Sequence, residues 1–497
     1  MKIAWIGDSP EIPTGFAMVT RMVCSHLARR GHSVSILGWQ TSGQPTQWEG
    51  CSVFPLRYGQ AQIPQYLMDL RPSWVVTLGS PSNLDLMASP QMHSWLQYVG
   101  ARWLLYYVSE GELPNGRLPD SWVATIAAAD VAVASSRYVE AVSVQCGLQP
   151  RYIPHGVDTN LFCPPVDRDA AKRLLNYAGK FVILSDARNQ PRKMLPRLLL
   201  IFARFAADKK DVVLHLHCDP HDPAARTGGY DLRSMIASLG IGEQVCFTHG
   251  FSIRRGVTLS RLAALYQAAD VHLLTSGGEG FGLPTLQACA SGVVPMAPDY
   301  SANRELLEEH GEPVRVSGFE EAGFGIQWAL IDIEDCVARL NGLYYDRDLL
   351  ERKSGMCRRF ALEYDWSRVV DLWADLLGDE SGHRGAPGFE AELCISDGRL
   401  RLLKDRQPTA FDPKALASFG ATARVFVAPV ERIGVSTPTS SEQSQSASLP
   451  PVAVASSKAT PNRWAELARY APMRVFGLVT GLTKAVRQTG ATKPDPR

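Results

Sequence analysis

Two doubly wound parallel-sheet α/β domains in series are the fold class this sequence predicts, and three observations carry the prediction. Short β-branched and aromatic runs alternate with helix-period segments from the first residue. The alternation pauses after Ile153-Pro154-His155-Gly156 and starts again at residue 181. The chain has 497 residues, room for two such domains and an additional piece.

In order, strands are expected at 2–6, 33–37, 74–78, 103–108 and 131–135, each a near-continuous apolar run of the kind that is covered on both faces. The second series runs 181–185, 213–218, 245–248, 271–275 and 293–296, with helices at 194–207 and 258–269 between them. This gives domains at 1–155 and 156–363, and a closing helix at 364–380 that returns to the first. Residues 381–435 are a small extension with a hairpin at Asp397-Gly398. Residues 436–460 are rich in Ser, Thr, Pro and Gln and are expected to be a disordered linker. A basic helical tail is expected over 461–497.

The 51 Lys and Arg offset 50 Asp and Glu to a net charge of +1, which provides no field for nucleic acid. No run reaches the roughly 18 apolar residues of a membrane span. Ten cysteines are scattered without a Cys-x-x-Cys pair, so they are expected to be reduced, in the cytoplasm. The tail carries Arg463, Arg469, Arg474, Lys484 and Arg487, and an inner-face membrane contact or a partner protein is the expectation for it.

Ligands of doubly wound sheets sit at the carboxyl ends of strands, so the loops after strands hold the chemistry. The first such loop, Asp8 to Ala17, contains no Gly-x-Gly-x-x-Gly, which argues against a nicotinamide cofactor. Gly15 brings a backbone N–H to a helix start where an anion or a sugar hydroxyl can be met; an ordinary capped helix would look the same. After 181–185, Arg188, Arg192 and Lys193 cluster. Arg188 offers a planar fork and Lys193 a point charge, together suited to a diphosphate, although a solvated basic loop has the same composition.

The most informative stretch follows 271–275: Ser276-Gly277-Gly278-Glu279-Gly280-Phe281-Gly282-Leu283-Pro284-Thr285-Leu286-Gln287. The N–H groups of Gly282 and Leu283 are expected to face an anion at a helix start. Glu279 at the same mouth is a poor phosphate neighbour but a good acceptor for sugar hydroxyls. Gln287 lies two turns further on, directed into the same cleft.

These residues resemble the retaining nucleotide-sugar glycosyltransferases of family 4, which have the two-domain GT-B fold. Glu279 to Pro284 with Gln287-Ala288-Cys289-Ala290-Ser291-Gly292 is similar to that family's acidic signature, and Arg188 and Lys193 match its Arg-x4-Lys pair. Ile153 to Asp158, Leu265 to Asp270 and Tyr364-Asp365-Trp366 agree further, over about residues 1–378. The resemblance implies an acceptor domain followed by a donor domain. It also implies that Arg188 and Lys193 hold the donor diphosphate, Glu279 binds the donor sugar and position 287 the ribose. Gly280, Phe281, Gly282, Leu283 and Thr285 join Gly15 and Gln287 around the donor. The family's second glutamate is Gln287 here, a weaker hydrogen-bond partner for a ribose. Glu110, in the loop after Val108, stands where similar enzymes place a His or Asp against donor sugar or acceptor.

The expected function is transfer of a hexosyl group, with retention, from a UDP- or GDP-hexose to a hydroxyl acceptor in a glycan, a lipid-linked sugar or a protein, without metal or other cofactor. The alternatives are a lapsed nucleotide-sugar-binding scaffold and a sugar-nucleotide epimerase on the same fold. His215, His217, Cys218, Asp219 and His221 in HLHCDPHD read as a strand end with loop histidines in preference to a metal site, since strand alternation opposes Cys218 to the two histidines. His155 reads as a structural or hinge residue.

Overall fold

The computed structural model describes residues 1–379 apart from 42, 57–58, 223–228 and 253–254, together with 391–396, 399–404, 407–410 and 425–427. The expected linker at 436–460 and the tail at 461–497 lie outside the described residues. Lys2–Asp8 (β1), Ser33–Trp39 (β2), Thr46–Trp48 (β3), Cys51–Pro55 (β4), Trp74–Gly79 (β5), Arg102–Tyr107 (β6), Val131–Ala134 (β7) and Arg151–Tyr152 (β8) form the first sheet. Its spatial order is β3-β4-β2-β1-β5-β6-β7-β8. Only the β3–β4 pair in it is antiparallel. The central strands are buried along most of their length, which is why their sequences read as continuous apolar runs.

Phe181–Asp186 (β9), Val212–His217 (β10), Val245–Phe247 (β11), Val271–Leu273 (β12), Val294–Pro298 (β13) and Glu312–Val314 (β14) form the second sheet, all parallel, in the order β11-β10-β9-β12-β13-β14. In both sheets the first strand of the half lies at the centre and the chain winds outward first one way and then the other. This creates a switch point beside β1 and another beside β9, where ligands of such folds collect. The strand expected at 271–275 ends at Leu273, because the glycine-rich loop begins to turn there.

Two departures from the expected element list matter. Cys51–Pro55 is a buried strand of the first sheet that the sequence reading passed over. Beyond β14 the chain forms an antiparallel ribbon, Val316–Glu321 (β15) with Gln327–Ile331 (β16), in which Glu321 faces Gln327. Its tip reaches the first half: Ile326 is buried as part of the apolar core of that half, and the Phe324 ring lies 5.5 Å from that of Trp122. The N–H of Gln327 donates to the carbonyl of Glu112 at 2.8 Å.

The halves also meet at the junction. Val157 bridges to Asp365, with Val157 N–H donating to the Tyr364 carbonyl at 2.9 Å. A Cβ on Gly156 would stand 2.7 Å from the Trp366 ring, so this close crossing requires glycine. The helix Trp366–Asp379 then lies on the first half, where Trp373 touches the rings of Trp5 and Tyr106. Further along, Ala391–Ser396 (β17) pairs antiparallel with Arg399–Lys404 (β18), Ser396 facing Arg399; the expected turn residues Asp397 and Gly398 lie outside the described residues. Gln407–Ala410 (β19) and Val425–Val427 (β20) complete a four-stranded sheet. Among the described residues no helix is long and apolar enough to cross a membrane.

Candidate functional site

A cleft of about 950 Å³ lies between the carboxyl ends of the two sheets. Gly15 and Glu110 line it from the first half. Arg188, Lys193, Glu279, Gly280, Phe281, Gly282, Leu283 and Gln287 line it from the second. Each lies in a loop that leaves the carboxyl end of a strand or on the helix which that loop opens.

The loop after β9 tightens into a 3₁₀ turn at Pro191–Lys193 and enters the helix Leu195–Ala206 through Met194, whose φ is +47°. That left-handed step is unusual for a side chain with a Cβ and turns the Lys193 amine toward β12. There Lys193 Nζ and Glu279 Oε1 form a buried ion pair, and Arg192 closes on the same oxygen at 2.9 Å. Arg192 also meets Glu110 Oε1 of the first half at 2.8 Å. Burial pushes the Glu279 carboxyl up, but Arg192 and Lys193 outweigh it and hold the group at about 2. Burial, then the neighbouring Arg192, lower the Lys193 amine against the pull of Glu279.

Arg188 stands apart from this cluster. It makes a two-pronged contact with Asp222, through Nε at 2.7 Å and Nη2 at 3.2 Å, and keeps 45% of its side chain exposed to the cleft. The hydrogen bond it donates to Asp222 raises its pKa.

The backbone of the acidic loop is pinned on several sides. Gly277 N–H donates to the Arg192 carbonyl at 2.7 Å, its carbonyl accepts from Ala329 of β16 at 2.7 Å, and Glu279 N–H donates to Ser301 Oγ at 2.9 Å. Gly282 has φ +102° and caps the helix Leu283–Ala290, so a Cβ is excluded on conformational grounds as well as by Leu306 Cδ1 at 3.2 Å. The loop rests directly on the first half. Ser135 Oγ donates to the Gly280 carbonyl at 3.1 Å, and a Cβ on Gly278 would fall 1.8 Å from the Glu110 carbonyl oxygen.

Gln287 is 3% exposed, and its Nε2 lies 3.3 Å from Met18 Sδ of the first half. Thr285 departs from expectation. It is fully buried, absent from the cleft wall, and its hydroxyl has no hydrogen-bond partner. The reason is helical phase: Leu283 and Gln287 are four apart and share the cleft face, leaving Thr285 turned inward.

Opposite, Thr14 caps the helix Gly15–Arg29 by accepting from Ala17 N–H at 3.1 Å and donates its own hydroxyl to Asp8 Oδ2 at 2.5 Å. Gly15 thus begins a capped helix and lines the cleft. His155 lies under Phe281 with its ring bonded to the Tyr106 hydroxyl at 2.6 Å, and burial lowers its pKa to about 3, so it is neutral. His215 and His217 both engage Thr248 Oγ1 at 2.8 Å. Among the described residues no three His, Cys, Asp or Glu side chains converge on a metal position.

Sequence reasoning gave no role to Arg192, Asp222, Asp8 or Ser301. The first belonged to the cation cluster already noticed; the others become visible only when distant loops meet.

Residues 166–322 match the family glycosyl transferases group 1. A D-inositol 3-phosphate glycosyltransferase of Geodermatophilus obscurus is 32% identical over 234 residues, 45% of this chain and 47% of that protein. An MMP alpha-(1->4)-mannosyltransferase of Mycolicibacterium hassiacum is 30% identical over 225 residues, 45% and 46% of the two chains. The chain thus spans about half the length of these curated relatives. Among solved structures, Anabaena Alr3699/HepE in complex with UDP and glucose superposes with a TM-score of 0.58 at 16% identity, covering 76% of this chain and all of that one. Sucrose-phosphate synthase from Thermosynechococcus elongatus gives 0.59 at 18%, covering 76% and 99%. The fold is that of the GT-B glycosyltransferases, and residues 166–322 are similar to glycosyl transferases group 1.

Proposed function

We propose that this protein is a glycosyltransferase that moves a hexosyl group from a UDP- or GDP-hexose to a hydroxyl acceptor in a glycan, a lipid-linked sugar or a protein. The observation that carries the reading is the ion-pair cluster of Lys193, Glu279 and Arg192 with Arg188 nearby, at the ends of β9 and β12 in the interdomain cleft. Arg188 and Lys193 are cations placed to receive a diphosphate and to stabilise the charge that grows on it as it leaves. Glu279, held ionised, is an acceptor for sugar hydroxyls. Gly282 and Leu283 open a helix beside them, where backbone N–H groups favour an anion.

In this reading the configuration at the anomeric carbon is retained. The diphosphate departs on the face from which the acceptor enters, one of its oxygens takes the acceptor proton, and the side chains position and neutralise without a metal ion. Closure of the halves excludes the water that would otherwise hydrolyse the donor. Gln287 is the point favouring a second reading, a nucleotide-sugar-binding scaffold, because its amide nitrogen rests against a sulfur.

The test is nucleoside-diphosphate release from a panel of UDP-, GDP- and ADP-sugars by the native chain and by Lys193→Ala. Release with one donor, falling at least about tenfold in the variant as loss of a charge-assisted contact predicts, supports the enzyme. Binding of UDP or GDP without turnover under any acceptor supports the scaffold.

A further inference from the structure

We infer that Arg192 is a positioning residue of the proposed transfer, its single guanidinium fork fixing Glu110 of the first half and Glu279 of the second against one another so that both carboxylates face the donor sugar only when the halves are closed. The inference rests on the glycosyltransferase reading and adds a residue to it. Its ground is the arrangement of donors. Nη2 is taken by Glu110 at 2.8 Å, while Nη1 serves Glu279 at 2.9 Å, Ser276 Oγ at 3.1 Å and the Gly278 carbonyl. The Arg192 carbonyl accepts from Gly277 N–H, so main chain and side chain hold the acidic loop together.

Both terminal nitrogens of this guanidinium are engaged by protein acceptors. Arg188 differs: nearly half of its side chain is exposed, and it pairs with Asp222. The Arg192 side chain is 12% exposed. Burial alone would weaken its charge, and Glu279 and Glu110 more than restore it. The planar fork matters because a lysine amine is a point charge and does not hold two carboxylates from different domains in fixed mutual orientation. Glu110 thereby receives an assignment too: it is placed by a residue of the other half.

The test uses the full chain with Arg192→Lys, Glu110→Gln and the double variant. Affinity for UDP and GDP is measured by calorimetry, and kcat and KM by nucleoside-diphosphate release from the donor the native chain uses. Glu110 is the safer of the two for folding, since 38% of its side chain is exposed. Positioning predicts that each single variant keeps nucleotide affinity within about threefold and loses about 30-fold or more in kcat, and that the double variant is no worse than the poorer single one. Three results overturn it: unchanged kcat, an equal fall in nucleotide affinity and kcat, which makes Arg192 a phosphate ligand, or a double-variant loss equal to the product of the single losses. A native chain that binds neither UDP nor GDP overturns the donor-site reading itself, and the inference with it.

Discussion

Lys193 and Glu279, 86 residues apart in the chain, neutralise each other at the point where β9 and β12 deliver their loops to the cleft. A diphosphate approaching Lys193 therefore competes with a carboxylate already in place. Glu279→Gln removes the competitor and leaves the buried Lys193 amine without its carboxylate, while Arg192 keeps Glu110. UDP or GDP affinity is expected to rise about three- to tenfold while donor turnover falls at least about 100-fold. Calorimetry beside a turnover assay checks both. Weaker nucleotide binding by this variant would remove the competition argument.

Glu305, on the short helix Asn303–Leu307, accepts the backbone N–H of Arg137 at 2.7 Å and of Tyr138 at 3.3 Å, joining the second half to a helix start in the first. Burial raises its carboxyl to about 7, against the two backbone bonds and Arg137. A carboxyl raised on folding favours the folded state below its unfolded value near 4.5, and that advantage disappears as pH rises through about 7. Glu305→Gln keeps an acceptor and cannot ionise. Its melting temperature is expected to match the native chain near pH 4 and to exceed it by several degrees at pH 8. Parallel curves from pH 4 to 8 would refute the assignment.

Gly278→Ala places a methyl where the Glu110 carbonyl oxygen stands, a main-chain atom that no rotamer change can move aside. The halves are expected to separate, raising the radius of gyration in solution scattering and reducing donor turnover at least about tenfold. An unchanged radius with full turnover would show that the contact is dispensable.

Thr285→Val exchanges an unpartnered buried hydroxyl for a methyl of nearly the same shape. Because the residue faces away from the cleft, nucleotide affinity is expected to stay the same, and stability to rise by about 1 kcal/mol in denaturant unfolding. A loss of nucleotide affinity would return Thr285 to the donor site.

The legible parts of the sequence were those set by local pattern. Phe181 to Ser185 reads as a buried parallel strand because nearly every side chain in it is apolar, and the charged residues after it then announce a loop at a carboxyl end. The glycines of 277–282 announce an unusual backbone path; at Gly278 and Gly280 that path brings the loop against Glu110 and Val108 of the other half. The illegible parts depended on phase or on distance. Three cations within 188–193 look alike in sequence; the 3₁₀ turn and the left-handed Met194 decide that Arg192 and Lys193 meet Glu279 while Arg188 meets Asp222. The β15–β16 ribbon was hidden because Gly318, Gly323 and Gly325 interrupt its alternation, and because the residues that bury Ile326 belong to a half of the chain that ended more than 150 residues earlier.

That ribbon changes what opening means for this molecule. A two-lobed protein joined only at the strip 153–157 and by a returning helix swings like a door on its hinges, through a continuum of angles. With Ile326 seated in the apolar core of the opposite lobe, the door carries a bolt: the first degrees of swing must draw an apolar side chain into water and part the Gln327–Glu112 bond before anything is gained. Opening is then a discrete rupture with a threshold. The ribbon tip adds to that threshold from outside the cleft, alongside the Arg192–Glu110 and Arg137–Glu305 contacts that also join the halves.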